Sequence, residues 1–258
     1  MNALITTLRY VLITAIRDRM VAAIVIAQMA VLGGASLMAA SALAEGRAAG
    51  LAMAGEGIRV VMMLGLITFI SFHVRRMEET REIEAILTRP ISRTTFVLAY
   101  YAAYAGIGVL LSLCAAPLLM AGLAAGGAGL AEWQVSLGLE CLVIVAIALF
   151  CALSLGSATA SVLAGIGLYI FARLAAFFRA IAEAHTGLST HDDIDRITTW
   201  MIKGIAAAMP RLDLFGQGQW LVYGPGGGWG LPELLLQTVV IVPLLLAATI
   251  RDVRVKRY

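Results

Sequence analysis

Three groups of residues in this chain have types and spacings that could do chemistry. His185, His191, Asp192, Asp193 and Asp195 form the main His/Asp cluster, a combination that can ligate a transition metal. The spacing favours another reading. Thr190 followed three residues later by Asp193 is close to a capping box, and consecutive acids at a helix start are stabilised by the helix N-terminus. No metal centre is therefore expected. No G-x-S-x-G elbow and no H-E-x-x-H pair occurs, so no catalytic residue is assigned. Nor does any G-x-x-x-x-G-K-[ST] stretch occur, which leaves the chain without a loop to cradle nucleotide phosphates and without a cofactor of its own.

The second group consists of polar residues inside otherwise apolar stretches: Gln28, the Tyr100, Tyr101 and Tyr104 cluster, Glu140 and Arg173. Ionisable groups in such places are costly and usually face protein or water, so Gln28, Tyr100, Tyr104, Glu140 and Arg173 are candidates for a cargo path. Glu140 and Arg173 can pair internally, or each can snorkel to an interface; snorkelling is the expectation for Glu140. So little fixed charge implies a path that is mostly apolar or made of small-residue contacts, as an amphiphilic or lipid-like cargo would allow.

The third group is the densest. Residues 75–93 hold nine charges, five Arg and four Glu, among them Glu78, Glu79, Arg81, Glu82, Glu84, Arg89 and Arg93. Ile83, Ile86 and Leu87 make a small apolar ridge on a short charged helix that Pro90 stops. Such a ridge can insert into a groove on a partner, with the charges setting register. A solvated charged loop would carry the same composition.

The elements that must position these groups are membrane helices. Of 258 residues 61% are apolar and 14% charged, against roughly 45–50% and about 25% in soluble domains. A mean hydropathy of +0.91 and charge-free runs such as Met20 to Ala44 and Thr94 to Ala131 exclude disorder, a nucleic-acid module and a conventional cytosolic enzyme. At about 20 residues per crossing, the chain divides into six candidate spans near 20–44, 58–74, 94–119, 134–153, 156–178 and 233–250. The expected fold is an all-α polytopic membrane protein in a single domain, 1–258. The turn between the fourth and fifth spans, Ser154 to Ser157, is short and uncharged, and one long kinked segment is the alternative there.

Of 19 basic residues, twelve crowd the N-terminal segment, the 75–93 loop and the C-terminal tail, which predicts that these face the cytoplasm. The other side would hold Glu45 to Gly57, a turn at Gly122 to Gly129, and a long excursion over 179–232. Residues 1–19 read as an interfacial helix, since Leu4, Leu8, Val11, Leu12 and Ala15 recur at helical spacing; Arg9, Arg17, Asp18 and Arg19 argue against a cleavable signal. Residues 191–209 read as an outer amphipathic helix, with Trp200, Trp220, Tyr223 and Trp229 at headgroup level. Cys114, Cys141 and Cys151 have neither disulfide nor zinc spacing and read as packing residues.

The stretch from Glu82 through Arg93, with its Leu87-Thr88-Arg89-Pro90-Ile91-Ser92-Arg93 core before a third span, resembles the coupling-helix region of type-2 ATP-binding-cassette exporter permeases. The layout of the chain and the string Met209-Pro210-Arg211-Leu212-Asp213-Leu214-Phe215 are similar to the branch associated with copper-enzyme maturation and gliding motility. Two departures stand out: Ala85-Ile86 where many relatives have Gly-Thr, and Ala99-Tyr100 where they have Gly-Lys. The resemblance implies a permease in the bacterial inner membrane, both termini cytoplasmic, working as a homodimer with two separate ATPase subunits that carry ATP and Mg. It implies docking of the ATPase on Glu78, Glu79, Arg81, Glu82, Ile83, Glu84, Ile86, Leu87, Arg89, Pro90 and Arg93. The rival expectation is a membrane anchoring or assembly subunit that recruits a cytoplasmic partner without moving cargo. A secondary transporter is disfavoured, because the two halves show no repeat with matching buried acids.

Overall fold

The computed structural model describes residues 18–41, 45–80, 92–177, 180, 204, 210–224 and 230–255. Within them the chain is all-helical. The elements are α1 (Arg19–Ser41), α2 (Gly46–Glu79), α3 (Arg93–Leu123), α4 (Gly127–Ser154), α5 (Ala158–Arg173), a 3₁₀ turn (Leu212–Phe215), the short α6 (Gln219–Tyr223) and α7 (Leu231–Val255). Five of them, α1, α2, α3, α4 and α7, are long and apolar enough to cross a membrane. At 16 residues α5 is apolar but only about 24 Å long.

Local chemistry sets several boundaries. Asp18 Oδ1 accepts from the Met20 amide at 3.0 Å and starts α1. Ser92 and Ser157 cap α3 and α5, each accepting a backbone N–H three residues on at 3.1 Å. Leu155, Gly156 and Ser157 thus separate α4 from α5 as distinct helices rather than one kinked span. At the other end of α3, Ala124 takes a left-handed conformation, and the turn to α4 shrinks to Ala124, Ala125 and Gly126. One expectation fails outright: Gly46 to Gly57 is no loop but the first three turns of α2. Its Ala, Leu and Met residues continue the helical period and bury Leu51 and Ala54.

Short links make α1/α2, α3/α4 and α4/α5 antiparallel neighbours. One end of the bundle gathers Asp18, the end of α2, the start of α3 and the end of α7. There Arg93 Nη1 donates to the carbonyls of Val253 (2.7 Å) and Arg254 (3.0 Å), and Arg254 Nη2 donates to Thr94 Oγ1 (3.0 Å). This is the arginine-rich end. At the opposite end Arg47 Nη2 donates to the Ala124 carbonyl at 2.7 Å, tying the start of α2 to the α3/α4 turn.

The most covered helix, α4, packs against α2, α3, α5 and α7, with α1 outside on α2 and α3. Leu137, Val143, Ile144, Val145, Ala146 and Ala148 are fully enclosed. Gly165 lets α5 approach α2 closely, because a Cβ there would collide with the Ile67 side chain. On α1 and α7, by contrast, Ile26, Leu37, Leu236, Val239 and Leu244 are exposed, a distribution suited to lipid contact rather than water.

Candidate functional site: a buried ion network

Four charges meet where α2, α4 and α5 face each other, Arg59 and Glu140 fully buried and Arg173 and Glu56 partly exposed. On α2, Glu56 and Arg59 lie one turn apart; on α4, Trp133, Ser136 and Glu140 follow at spacings of three and four; on α5, Tyr169 and Arg173 are four apart. Each set therefore shares one helix face. Arg59 and Glu140 are both fully buried, and Arg59 Nη1 donates directly to Glu140 Oε2. Arg59 Nη2 donates to Ser136 Oγ at 3.0 Å, and its guanidinium sits 5.5 Å from the centre of the Trp133 ring.

From Glu140 the network continues outward. Arg173 Nη1 lies 3.6 Å from Glu140 Oε1, while Nη2 donates to Glu56 Oε2. The order is Arg59, Glu140, Arg173, Glu56, so charges alternate and sum to zero. Alternation is what lets such groups survive in an apolar interior, since each charge has a counter-charge in contact. Glu140 is the sole charged residue between Leu137 and Leu153.

The fourth wall is the segment 210–224. Arg173 Nη1 donates to the Leu212 carbonyl at 3.3 Å, and the Ser136 hydroxyl lies 2.9 Å from the Trp133 carbonyl and 3.3 Å from that of Phe215. Leu212 and Phe215 are fully buried, and Trp220 nearly so. Trp220 is covered by protein: Gly129, where a Cβ would strike the Trp220 carbonyl, lets α6 lie directly on the first turn of α4. Tyr223 alone of the expected aromatic belt is exposed among the described residues.

The five sequence-derived path residues fall in three places. Glu140 and Arg173 join the network, and the expectation that Glu140 snorkels is corrected: it is fully enclosed and bound to Arg59, a partner supplied by α2. Tyr100 and Tyr104 belong instead to an aromatic cluster nearer the arginine-rich end. Ring centroids there are 4.5 Å apart for Phe96 and Tyr100, 6.1 Å for Tyr100 and Tyr104, 6.0 Å for Phe69 and Tyr104, and 5.9 Å for His73 and Tyr104. His73 Nδ1 in turn lies 4.0 Å from Asp18 Oδ2. Gln28 is buried on the inner face of α1, its amide without a hydrogen-bond partner among the described residues.

Glu56 and Arg59, which flank the predicted start of the second span, are not among the sequence-derived candidates. Their signal was the Glu-x-x-Arg spacing in a stretch whose helical period runs unbroken through both.

Of the docking residues, Glu78 and Glu79 close α2, where Arg75 pairs with each at 3.1 Å. Arg93 opens α3 and holds the last carbonyls of α7. Arg81, Glu82, Ile83, Glu84, Ile86, Leu87, Arg89 and Pro90 lie outside the described residues, as do the interfacial stretch 1–17, most of the 191–209 helix and His185, His191, Asp192, Asp193 and Asp195. Among the described residues no three His, Cys, Asp or Glu side chains are placed to hold a metal. Cys114, Cys141 and Cys151 are free thiols, the last two buried. No protein-family model matches this chain, and no curated protein matches it either.

Proposed function

We propose that this chain is the membrane permease subunit of an ATP-binding-cassette exporter, with the 78–93 connection as the lever on which a separate ATPase docks. One observation carries the reading. Both stems of that charged connection, Glu79 at the end of α2 and Arg93 at the start of α3, are anchored at the arginine-rich end of an apolar bundle. That end also holds Arg75, Arg76 and Arg254. Basic residues concentrated beside span ends favour the cytoplasmic side, where a soluble motor works. Because α2 runs as one 34-residue helix from that end past the ion network, a push on residues 78–93 would be transmitted to Arg59 and Glu56.

In this reading α5, continued past Arg173, completes six spans in the bacterial inner membrane with both termini inside. Two copies provide the two membrane halves, and ATP and Mg are held by the partner. The cargo is amphiphilic or lipid-like, and the similarity of residues 82–93 to the coupling region of type-2 exporters supplies the direction. The second reading, an anchoring or assembly subunit, shares the docking lever but needs no moving core.

The test has two stages. Affinity-tagged protein purified from native membranes should bring down an ATP-binding-cassette ATPase, and Glu82→Arg with Glu84→Arg should abolish this. In reconstituted vesicles the complex should then hydrolyse ATP faster when a transported amphiphile is added. An ATPase that co-purifies but whose turnover never responds to any amphiphile would favour the anchoring subunit.

A further inference from the structure

We propose that the outer face of α7 from Val240 to Arg254 binds one anionic phospholipid, its phosphate held by Arg251 and Arg254 and an acyl chain lying along Val240, Leu244 and Ala247. The spacing puts these five residues on one stripe. Positions 240, 244, 247, 251 and 254 advance by four, three, four and three, so they share a helix face, and all five are exposed. At 1.5 Å per residue the stripe is about 21 Å long, apolar at its start and basic at its end. That is the length of one leaflet with its headgroups, half of a bilayer of about 40–45 Å.

Charge sets this corner apart from the rest of the arginine-rich end. On the last turn of α2, Arg75 and Arg76 are accompanied by Glu78 and Glu79, and at the start of α1 Arg19 is accompanied by Asp18. Where α3 meets α7, the one acid beside Arg251 and Arg254 is Asp252, whose Oδ2 is buried. Arg254 Nη2 donates to Thr94 Oγ1, a neutral partner, and no carboxylate among the described residues pairs with Arg251 or Arg254. A phosphodiester supplies the anion that this corner lacks.

The corner is also built before a lipid arrives. Arg93 holds the carbonyls of Val253 and Arg254 and so fixes where α7 ends against α3, while Thr94 holds the Arg254 guanidinium in place. An arginine that merely snorkels into the headgroup layer requires neither contact, and a preset guanidinium loses less freedom on binding. Lipid rather than free phosphate is the occupant, because the two arginines continue the apolar stripe of Val240, Leu244 and Ala247 without a break. The site needs α7 to lie in a bilayer and stands whether or not a motor subunit binds.

The experiment titrates phosphatidylglycerol into the detergent-solubilised full-length protein, counts bound lipid by native mass spectrometry and takes phosphatidylcholine as the zwitterionic reference. The parent should hold one equivalent of phosphatidylglycerol more tightly than any phosphatidylcholine. Arg251→Gln should weaken that equivalent about fivefold, and Arg251→Gln with Arg254→Gln about 25-fold, the scale expected for one arginine beside an anionic headgroup. Arg251 makes no side-chain hydrogen bond or ion pair among the described residues, so the single variant keeps the fold and carries the test if the double variant melts early. Arg19→Gln with Arg76→Gln removes the same charge from the same end and should leave the equivalent unchanged. Three results would overturn the proposal. Equal binding of the two lipids by the parent would show no headgroup selection, and an Arg19/Arg76 variant weakened as much as the Arg251/Arg254 variant would show diffuse attraction to the whole end. Displacement of the lipid by an equal concentration of inorganic phosphate would show an anion site with no use for the apolar stripe.

Discussion

The helix α2 carries arginine and glutamate twice, and the two occurrences behave oppositely. Near its end, Arg75 pairs with Glu78 and Glu79 along its own surface, partly open to solvent. In its first half, Arg59 turns inward to Glu140 of α4, both fully buried, while Glu56 at the half-exposed edge reaches across to Arg173 of α5. The residue types and the spacing of three are the same. The first set forms local pairs of the kind that contribute little. The second ties three helices together, and breaking its Arg59–Glu140 pair leaves a charge in an apolar interior. Environment, rather than the pair of letters in the sequence, decides the weight of each.

The contrast can be broken in a graded way. The largest effect belongs to Glu140→Ala, which leaves Arg59 buried without its carboxylate and should destabilise the bundle by about 3–5 kcal/mol, read as a loss of thermal stability in detergent. Replacing both partners, as Arg59→Met with Glu140→Leu, should recover most of that loss, since an apolar pair leaves no orphan charge; a double variant as unstable as Glu140→Ala would show that Arg59 matters for something besides pairing. Next comes Gly165→Val, which forces a side chain against Ile67 where α5 crosses α2 and should cost about 1–3 kcal/mol. Ser157→Ala, removing the cap that separates α4 from α5, should cost about 1 kcal/mol by the same assay. Arg75→Ala should leave the melting temperature within error of the parent, and a large drop would erase the distinction between the two ends of α2.

The sequence was most readable where the chemistry is local. Long apolar runs mark helices that the fold contains, because a hydrophobic period depends on residues a few positions away. What stayed hidden depends on packing between distant segments. Arg59 reaches Ser136 and Glu140 across 77 and 81 positions, and nothing in a linear pattern announces that neighbour. Composition also misled at one end of the bundle: Gly46 to Gly57, rich in small residues, suggested a loop, and it is helix. Small residues such as Gly55 and Gly129 make room for close approach, so a stretch that looks weak alone is where α6 and the bundle touch.

The two ends of α2 also divide the proposed labour: the inner charges hold the bundle, and the charged connection beyond Glu79 takes the motor. Quantifying the ATPase retained by affinity-purified Glu82→Arg/Glu84→Arg protein, with its melting temperature recorded on the same sample, tests this most directly. The account predicts a folded bundle at the parental melting temperature with no ATPase bound. Undiminished ATPase on that folded variant would contradict it.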